Sequence, residues 1–126
     1  MGFEITKILH ASLLVKDAEK SLAFYCGVLG LEKDNQRPNL NFPGAWLNVG
    51  DQQIHLLELP NPDPVRERPE HGGRDRHTAM QVTDIDDLQR RLEQAQIPFT
   101  RSKSGRKAIF TRDPDGNALE FIELAS

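Results

Sequence analysis

The chain contains 126 residues, of which 37% are apolar and 28% are charged, and its formal net charge is −3 at pH 7. This length suffices for one domain with its own core, while the net negative charge without a basic run argues against a nucleic-acid partner. No apolar run is long enough to span a membrane, and no N-terminal secretion signal is recognisable. The single cysteine, Cys26, fits a reducing compartment, so we expect a cytoplasmic protein with no membrane partner.

The first half of the chain predicts a strand, a helix and, after an irregular stretch, a pair of strands. A dense apolar run indicates a strand over residues 7–16, and Asp17 has the side chain of a helix N-cap. Gly30 stands where a left-handed residue would end the helix, and residues 45–49 and 53–59 indicate the two strands. The helical face consists of Ala18, Leu22, Tyr25 and Leu29.

The second half repeats this order. Residues 76–82 indicate a strand, and Asp84 has the side chain of the next N-cap. Residues 107–112 and 117–124 indicate two strands around the turn Asp113-Pro-Asp-Gly-Asn117, whose residues favour tight reversals. The helical face between them consists of Ile85, Leu88, Leu92 and Ala95.

Residues 60–75 link the two halves and contain four of the chain's eight prolines and two adjacent glycines. A connection of this length in a small domain is usually functional or disordered. Both a lid over a binding site and a simple tether fit this composition. His71, within this segment, fits either a surface residue or a substrate contact.

Two short patterns occur once in each half. His10-Ala-Ser-Leu-Leu-Val15-Lys-Asp17 recurs as His77-Thr-Ala-Met-Gln-Val82-Thr-Asp84. Ile54-His55-Leu56-Leu57-Glu58-Leu59 recurs as Leu119-Glu120-Phe121-Ile122-Glu123-Leu124. The chain therefore reads as two copies of one unit, in which His10 is equivalent to His77 and His55 to Glu120.

These four equivalent positions predict a metal site. Side chains alternate between the two faces of a strand, so the faces that carry His10 and His55 could line the concave side of one unit, and those of His77 and Glu120 the other. Imidazole and carboxylate ligands suit nickel, zinc, iron, manganese or cobalt. For any one histidine alone, a hydrogen-bonded core position is the competing interpretation.

Three other reactive side chains receive structural interpretations. Glu58 and Glu123 each lie three residues from the ligand position of their half, so on a regular strand they face away from it. We expect both carboxylates to solvate the outer face of the sheet. Cys26 follows Tyr25 on the helix and is interpreted as a packing residue.

The sequence resembles the vicinal oxygen chelate superfamily, which includes glyoxalase I, extradiol dioxygenases, fosfomycin-resistance enzymes and bleomycin-binding proteins. The resemblance rests on His10, His77, the run Phe24-Tyr-Cys-Gly-Val-Leu-Gly-Leu31 and the run from Asp113 to Leu124. It implies an α+β, glyoxalase-like fold in which two paired βαβββ modules form a curved mixed-sheet cup around one metal. It also implies a homodimer, because in glyoxalase I the cup is completed across the dimer interface; a site within one chain stays open. The expected single domain spans 1–126, with modules at about 5–60 and 75–125 and a linking loop at 60–75.

The resemblance implies that His10, His55, His77 and Glu120 are the ligands of a divalent metal. The leading hypothesis is a metal-dependent lyase or isomerase of the glyoxalase I type, which converts a small substrate with two neighbouring oxygens through an enediolate. Glu120 is then the candidate base. Bacterial glyoxalase I usually has a carboxylate where this chain has His55, and three imidazoles with one carboxylate leave a divalent site at about +1.

Two alternatives remain open. His10, His77 and Glu120 also form the two-histidine, one-carboxylate set of a non-haem iron extradiol dioxygenase, with His55 as an acid/base group or an extra ligand. A metal-free protein that sequesters a drug is the other alternative, although such proteins generally lack the ligand set. The sequence does not reveal the substrate, the native metal or whether a thiol cofactor is used. Candidate pocket-wall residues are Leu14, Phe42, Trp46, Leu57 and Phe110.

Overall fold

One four-stranded sheet arises from each half of the chain in the computed structural model, which describes residues 2–63, 65–102 and 106–124. Parts of the predicted domain, linking loop and second module (residues 1, 64, 103–105, 125 and 126) lie outside these ranges. In chain order the elements are β1 (His10–Val15), α1 (Ala18–Leu22), β2 (Glu32–Asp34), β3 (Gly44–Val49), β4 (Gln52–Glu58), β5 (His77–Gln81), α2 (Ile85–Gln94), β6 (Phe99–Arg101), β7 (Ala108–Arg112) and β8 (Ala118–Ile122).

The two sheets share one topology. Their strand orders are β1-β4-β3-β2 and β5-β8-β7-β6. In each sheet the first strand pairs in parallel with the last strand, and the remaining pairs are antiparallel. A parallel pair needs a crossover, which α1 and α2 provide. The predicted α+β arrangement of two βαβββ modules is therefore confirmed.

The second strand of each sheet was not predicted from the local sequence. Glu32–Asp34 and Phe99–Arg101 contain three residues each, too few to show an alternating pattern. Both are outermost strands that pair along one edge only. The irregular stretch expected after the first helix therefore contains a short strand.

Helix α1 begins as predicted but does not stay α-helical. Asp17 accepts hydrogen bonds from the amides of Glu19 and Lys20, and its counterpart Asp84 accepts one from Asp87. After Leu22 the chain continues as a π-helical segment over Ala23–Val28, which widens the turn and ends at a left-handed Gly30 with φ of 77°. The spacing of apolar residues along one helical face therefore differs from the prediction in this segment, because the backbone hydrogen bonds of a π-helix join residues i and i+5.

Glu58 and Glu123 cap the two helices and do not merely solvate the sheet, so the expected solvent role is wrong. Glu58 Oε1 accepts from the amide of Ala18 at 2.9 Å, and Glu123 Oε1 accepts from the amide of Ile85 at 2.9 Å. Each carboxylate thus binds an amide in the first turn of its helix, which otherwise lacks a partner. The bond from Ile85 also holds the pKa of Glu123 below its usual value.

A single apolar cluster joins the two halves. Cys26 packs against its edge, as expected for a packing residue, and burial raises the pKa of its thiol. Within the described ranges, no helix combines the length and apolar character needed to cross a bilayer. The cluster includes Val15, Tyr25, Leu47, Leu56, Ile85, Leu92, Ile109 and Leu119.

Candidate metal centre

His77 and Glu120 lie on the neighbouring parallel strands β5 and β8 and face each other. Glu120 pairs in register with Ala79, one alternation along from His77, so the two side chains share a face of the sheet. His77 Nε2 and Glu120 Oε1 are 3.1 Å apart, and only 6% of the Glu120 surface is exposed. The second module therefore brings its two predicted ligands into contact.

The backbone determines which His77 nitrogen faces Glu120. His77 Nδ1 lies 2.9 Å from the carbonyl oxygen of Asp75, which can only accept, so Nδ1 carries a proton. A neutral ring then has its lone pair on Nε2, directed at a carboxylate oxygen that also offers lone pairs. The contact is attractive only with a cation at this point, either a second ring proton or a metal ion.

Arg106 occupies the other oxygen of Glu120. Its Nη2 atom donates to Glu120 Oε2 at 3.0 Å, while more than half of the arginine side chain stays exposed. The buried carboxylate thus has a cationic partner at its outer oxygen and His77 at its inner one. The internal repeat gave no signal for Arg106, because this residue belongs to neither of the repeated patterns.

The first module arranges His10 and His55 as stacked rings. Their centroids are 3.8 Å apart at an interplanar angle of 13°, and Trp46 stacks on the other face of His55 at 4.4 Å. Burial, followed by the nearby His10 and Arg37, lowers the pKa of His55. A neutral imidazole has a lone pair for a metal, so this lowered pKa favours the state that ligation requires.

The two pairs stay separate within one chain. Among the residues that the structure describes, no group of three or more histidine, cysteine, aspartate or glutamate side chains is placed to hold one ion. His10 and His55 line a cavity of about 470 Å³, and His77 lines a separate cavity of about 250 Å³. The convergence of all four residues therefore stays a prediction.

The sequence comparison identifies the family. Residues 7–121 match the family model of the Glyoxalase/Bleomycin resistance protein/Dioxygenase superfamily. The chain belongs to this superfamily. It is 31% identical to Glyoxylase I 4 of Arabidopsis thaliana, over 97% of this chain and 73% of that protein, and 33% identical to a lactoylglutathione lyase of Neisseria meningitidis, over 95% and 92%.

Solved structures agree with this assignment. The glyoxalase-superfamily chain is similar to a glyoxalase family protein of Bacillus anthracis with a TM-score of 0.79 and 25% identity, over 99% of this chain and 100% of that chain. The resemblance stated from the sequence motifs is confirmed, and so is the glyoxalase-like fold.

The linking segment of this glyoxalase-superfamily chain is attached to the second sheet near His77. Asp75 accepts from Arg68 Nε at 3.0 Å and from Arg112 Nη1 at 2.8 Å, and Arg112 Nη2 donates to the carbonyl of Pro69. The bond from Arg68, with the one from Arg112, holds the pKa of Asp75 well below its usual range. Because the Asp75 carbonyl also accepts from His77, this ionic cluster fixes the backbone that orients the histidine.

His71 also lies against this sheet. Its Nδ1 atom accepts from the amide of Gly73 at 2.9 Å, and its ring contacts Phe110, with centroids 4.7 Å apart. Phe110 in turn contacts the edge of the His77 ring at 5.7 Å. Of the candidate pocket-wall residues, Phe110 and Trp46 thus touch predicted ligands.

Proposed function

We propose that the chain is a metal-dependent lyase or isomerase of the glyoxalase I type, acting on a small substrate with two neighbouring oxygens. In this proposal His10, His55, His77 and Glu120 hold a divalent metal, one of nickel, zinc, iron, manganese or cobalt. Relatives named glyoxylase and lactoylglutathione lyase, at 31% and 33% identity, support this reaction class. The proposal places the protein among enzymes and not among drug-sequestering proteins.

The contact between His77 and Glu120 is the observation that carries this proposal. With Nδ1 bound to the Asp75 carbonyl, Nε2 and Oε1 present lone pairs to each other across 3.1 Å. Two donor atoms that would hold the same divalent cation, each through a bond of about 2.1 Å, lie roughly 3.0 to 3.4 Å apart. The donor types, their separation and the fixed ring orientation therefore fit a divalent cation.

Two residues of the chain would then have separate roles in the reaction. When bound, a divalent cation would supply a positive charge that polarises two neighbouring substrate oxygens and favours loss of a proton from the hydroxyl-bearing carbon next to the carbonyl. Glu120 is the candidate to accept and return that proton, since its carboxylate is buried and adjoins His77. Arg106 holds Oε2 and thereby fixes the orientation of the carboxylate.

We propose further that a second copy of the chain completes the site. The two proposed ligand pairs lie on different sheets, and His77 lines a cavity separate from the one that His10 and His55 line. A two-fold axis would place the first pair of one copy against the second pair of the other, twice per dimer. The family resemblance, which includes dimers of this kind, supports the same arrangement.

Isomerisation of a methylglyoxal–thiol hemithioacetal tests the activity. We expect turnover by protein loaded with at least one of nickel, zinc, cobalt or manganese, and loss of turnover after removal of the metal by a chelator. Oxygen uptake with a catechol and ferrous iron is the matched assay for ring cleavage. If none of the four metals supports isomerisation of the hemithioacetal, and oxygen is taken up with the catechol and ferrous iron, the protein would be a dioxygenase instead.

Mixing two defective variants tests the shared site. One variant carries His10→Ala with His55→Ala, and the other carries His77→Ala with Glu120→Ala. After co-refolding we expect roughly one quarter of the wild-type metal content, because half of the dimers are mixed and each mixed dimer has one intact site of two. Metal content no higher than in the unmixed variants would contradict a site shared between copies.

A further inference from the structure

The ring edge of His55 is held by a neighbour on its own strand. Gln53 and His55 are two residues apart on β4, so their side chains emerge on the same face. His55 Nε2 lies 2.8 Å from Gln53 Oε1. The two flat faces of the ring are covered by His10 and Trp46, so the ring has little freedom to turn.

Two acceptors determine the orientation of the Gln53 amide. Gln53 Nε2 lies 2.9 Å from Asp34 Oδ2 on β2 and 3.0 Å from Asn48 Oδ1 on β3. An ionised carboxylate only accepts hydrogen bonds, so the amino group of Gln53 is the end that faces Asp34. The oxygen of Gln53 is therefore the atom that faces His55.

This orientation assigns the proton on the His55 ring. An amide oxygen can only accept, so His55 Nε2 must carry a hydrogen. The neutral ring then has its lone pair on Nδ1. Among the described residues, no protein group forms a hydrogen bond with that atom, which leaves Nδ1 available.

We infer that Gln53 is a positioning residue, which holds His55 in its Nε2–H tautomer so that the ring offers Nδ1 to a metal. His77 is held in the opposite way, since its Nδ1 is bound to the Asp75 carbonyl and its Nε2 faces Glu120. Partners beyond the ligands commonly select the ligating nitrogen of a histidine. The assignment of the tautomer depends only on the hydrogen bonds, whereas metal binding at Nδ1 depends on the proposed function.

Two-bond ¹H–¹⁵N spectra of histidine-labelled, metal-free protein at about pH 8, where imidazoles are neutral, test the tautomer. We expect a protonated-type signal for Nε2 of His55 and an unprotonated-type signal for Nδ1. Q53K replaces the acceptor with a donor that can still pair with Asp34, and it is expected to invert this pattern. A proton on Nδ1 in the wild type, or an unchanged pattern in Q53K, would overturn the inference.

Two further variants provide the controls. Q52K adds the same charge one residue away, on the opposite face of β4, and is expected to keep the wild-type tautomer. The double variant D34N with Q53E exchanges acid and amide, keeps an acceptor toward His55, and should also retain the Nε2–H form. A double variant that inverts the tautomer would contradict the network.

Zinc titration then distinguishes a failure of the inferred His55 tautomer from a failure of the proposed metal site. We expect zinc to shift the Nδ1 signal of His55 in the wild type, and Q53K to weaken zinc binding by about 10- to 100-fold. Zinc at Nε2 would overturn the inference. Zinc at neither nitrogen would contradict the proposed role of His55 as a ligand, while the metal-free spectra would still decide the tautomer.

Discussion

Glu120→Gln should lower turnover by about 10²- to 10⁴-fold, the range that a positioned acid or base contributes, and should weaken metal binding as well. The amide has nearly the same shape, but it carries no negative charge for a cation and cannot take a proton at neutral pH. It also leaves Arg106 without the anion to which Nη2 donates at 3.0 Å. Steady-state kinetics and metal titration on the same preparations measure both effects.

Glu123→Gln is the matched control for this substitution. Glu123 lies three residues further along the chain, and it binds the Ile85 amide and Lys107 away from the ligand pair. The control should keep metal affinity and turnover, because only a helix cap and a surface ion pair are weakened. Glu120→Asp, which keeps the charge on a shorter side chain, should recover part of the metal binding.

If the Glu120→Gln protein folds and keeps wild-type metal content and turnover, Glu120 would be a core residue and neither a ligand nor a base. Circular dichroism and the unfolding midpoint establish that the variant folds. The two readouts also distinguish ligand from base. Loss of turnover with metal retained would make Glu120 a base alone, whereas loss of metal would make it a ligand.

The internal repeat allowed most of this fold to be predicted from the sequence. Equivalent residues in the two halves predicted the same order of elements, and the alternation of strand faces allowed His10 and His55, and likewise His77 and Glu120, to line the same side of their unit. Asp17 and Asp84 were recognisable as N-caps, since their binding partners are two or three residues away. Local pattern and repeat together were sufficient wherever a contact is short in sequence or duplicated.

Contacts that depend on strand register were not accessible in this way. Gln53 meets Asp34 only because β2, β3 and β4 align as they do. Arg106 meets Glu120 from a position two residues before β7, and the helix-capping roles of Glu58 and Glu123 require each sheet to lie under its own helix. In the proposed site the four predicted ligands converge only when two copies assemble, and the sequence pattern of one copy carries no information on how copies pack.

Asp113→Ala is expected to lower the free energy of unfolding by about 3 kcal/mol or more, since each buried polar group that loses its partner costs about 1–3 kcal/mol. Asp113 is 5% exposed and accepts from Tyr25 Oη at 2.7 Å, from Asn117 N and Nδ2 at 2.9 Å, and from Asp115 N at 2.9 Å. Alanine leaves these donors without an acceptor. The Tyr25 hydroxyl bond is the longest-range of them, because it ties the helix of the first half to the β7–β8 turn. Urea unfolding at fixed metal content measures the change.

The pH dependence of this effect has a definite sign. Burial raises the pKa of Asp113 despite the donors around it, so the folded protein holds this proton more tightly than the unfolded chain. The Asp113 side chain therefore contributes less stability at neutral pH, where it is ionised, and its contribution grows as it takes up a proton while the pH falls through the folded pKa toward the unfolded value of about 4. The stability difference between wild type and Asp113→Ala should widen over that interval. Burial and Asp113 also raise the pKa of Tyr25, so the phenol stays a donor throughout.

Tyr25→Phe separates the hydroxyl bond from the rest of the network. It removes one donor and keeps the buried ring, so we expect a loss of about 1–3 kcal/mol, smaller than that of Asp113→Ala. Asp51→Ala removes a carboxylate whose side chain is 78% exposed and that pairs with Lys7, and it should change stability by less than about 0.5 kcal/mol. Equal losses in Asp113→Ala and Asp51→Ala would contradict a stabilising role for the buried hydrogen bonds of Asp113. A difference that narrows as the pH falls would show that the hydrogen bonds outweigh burial in setting the pKa of Asp113.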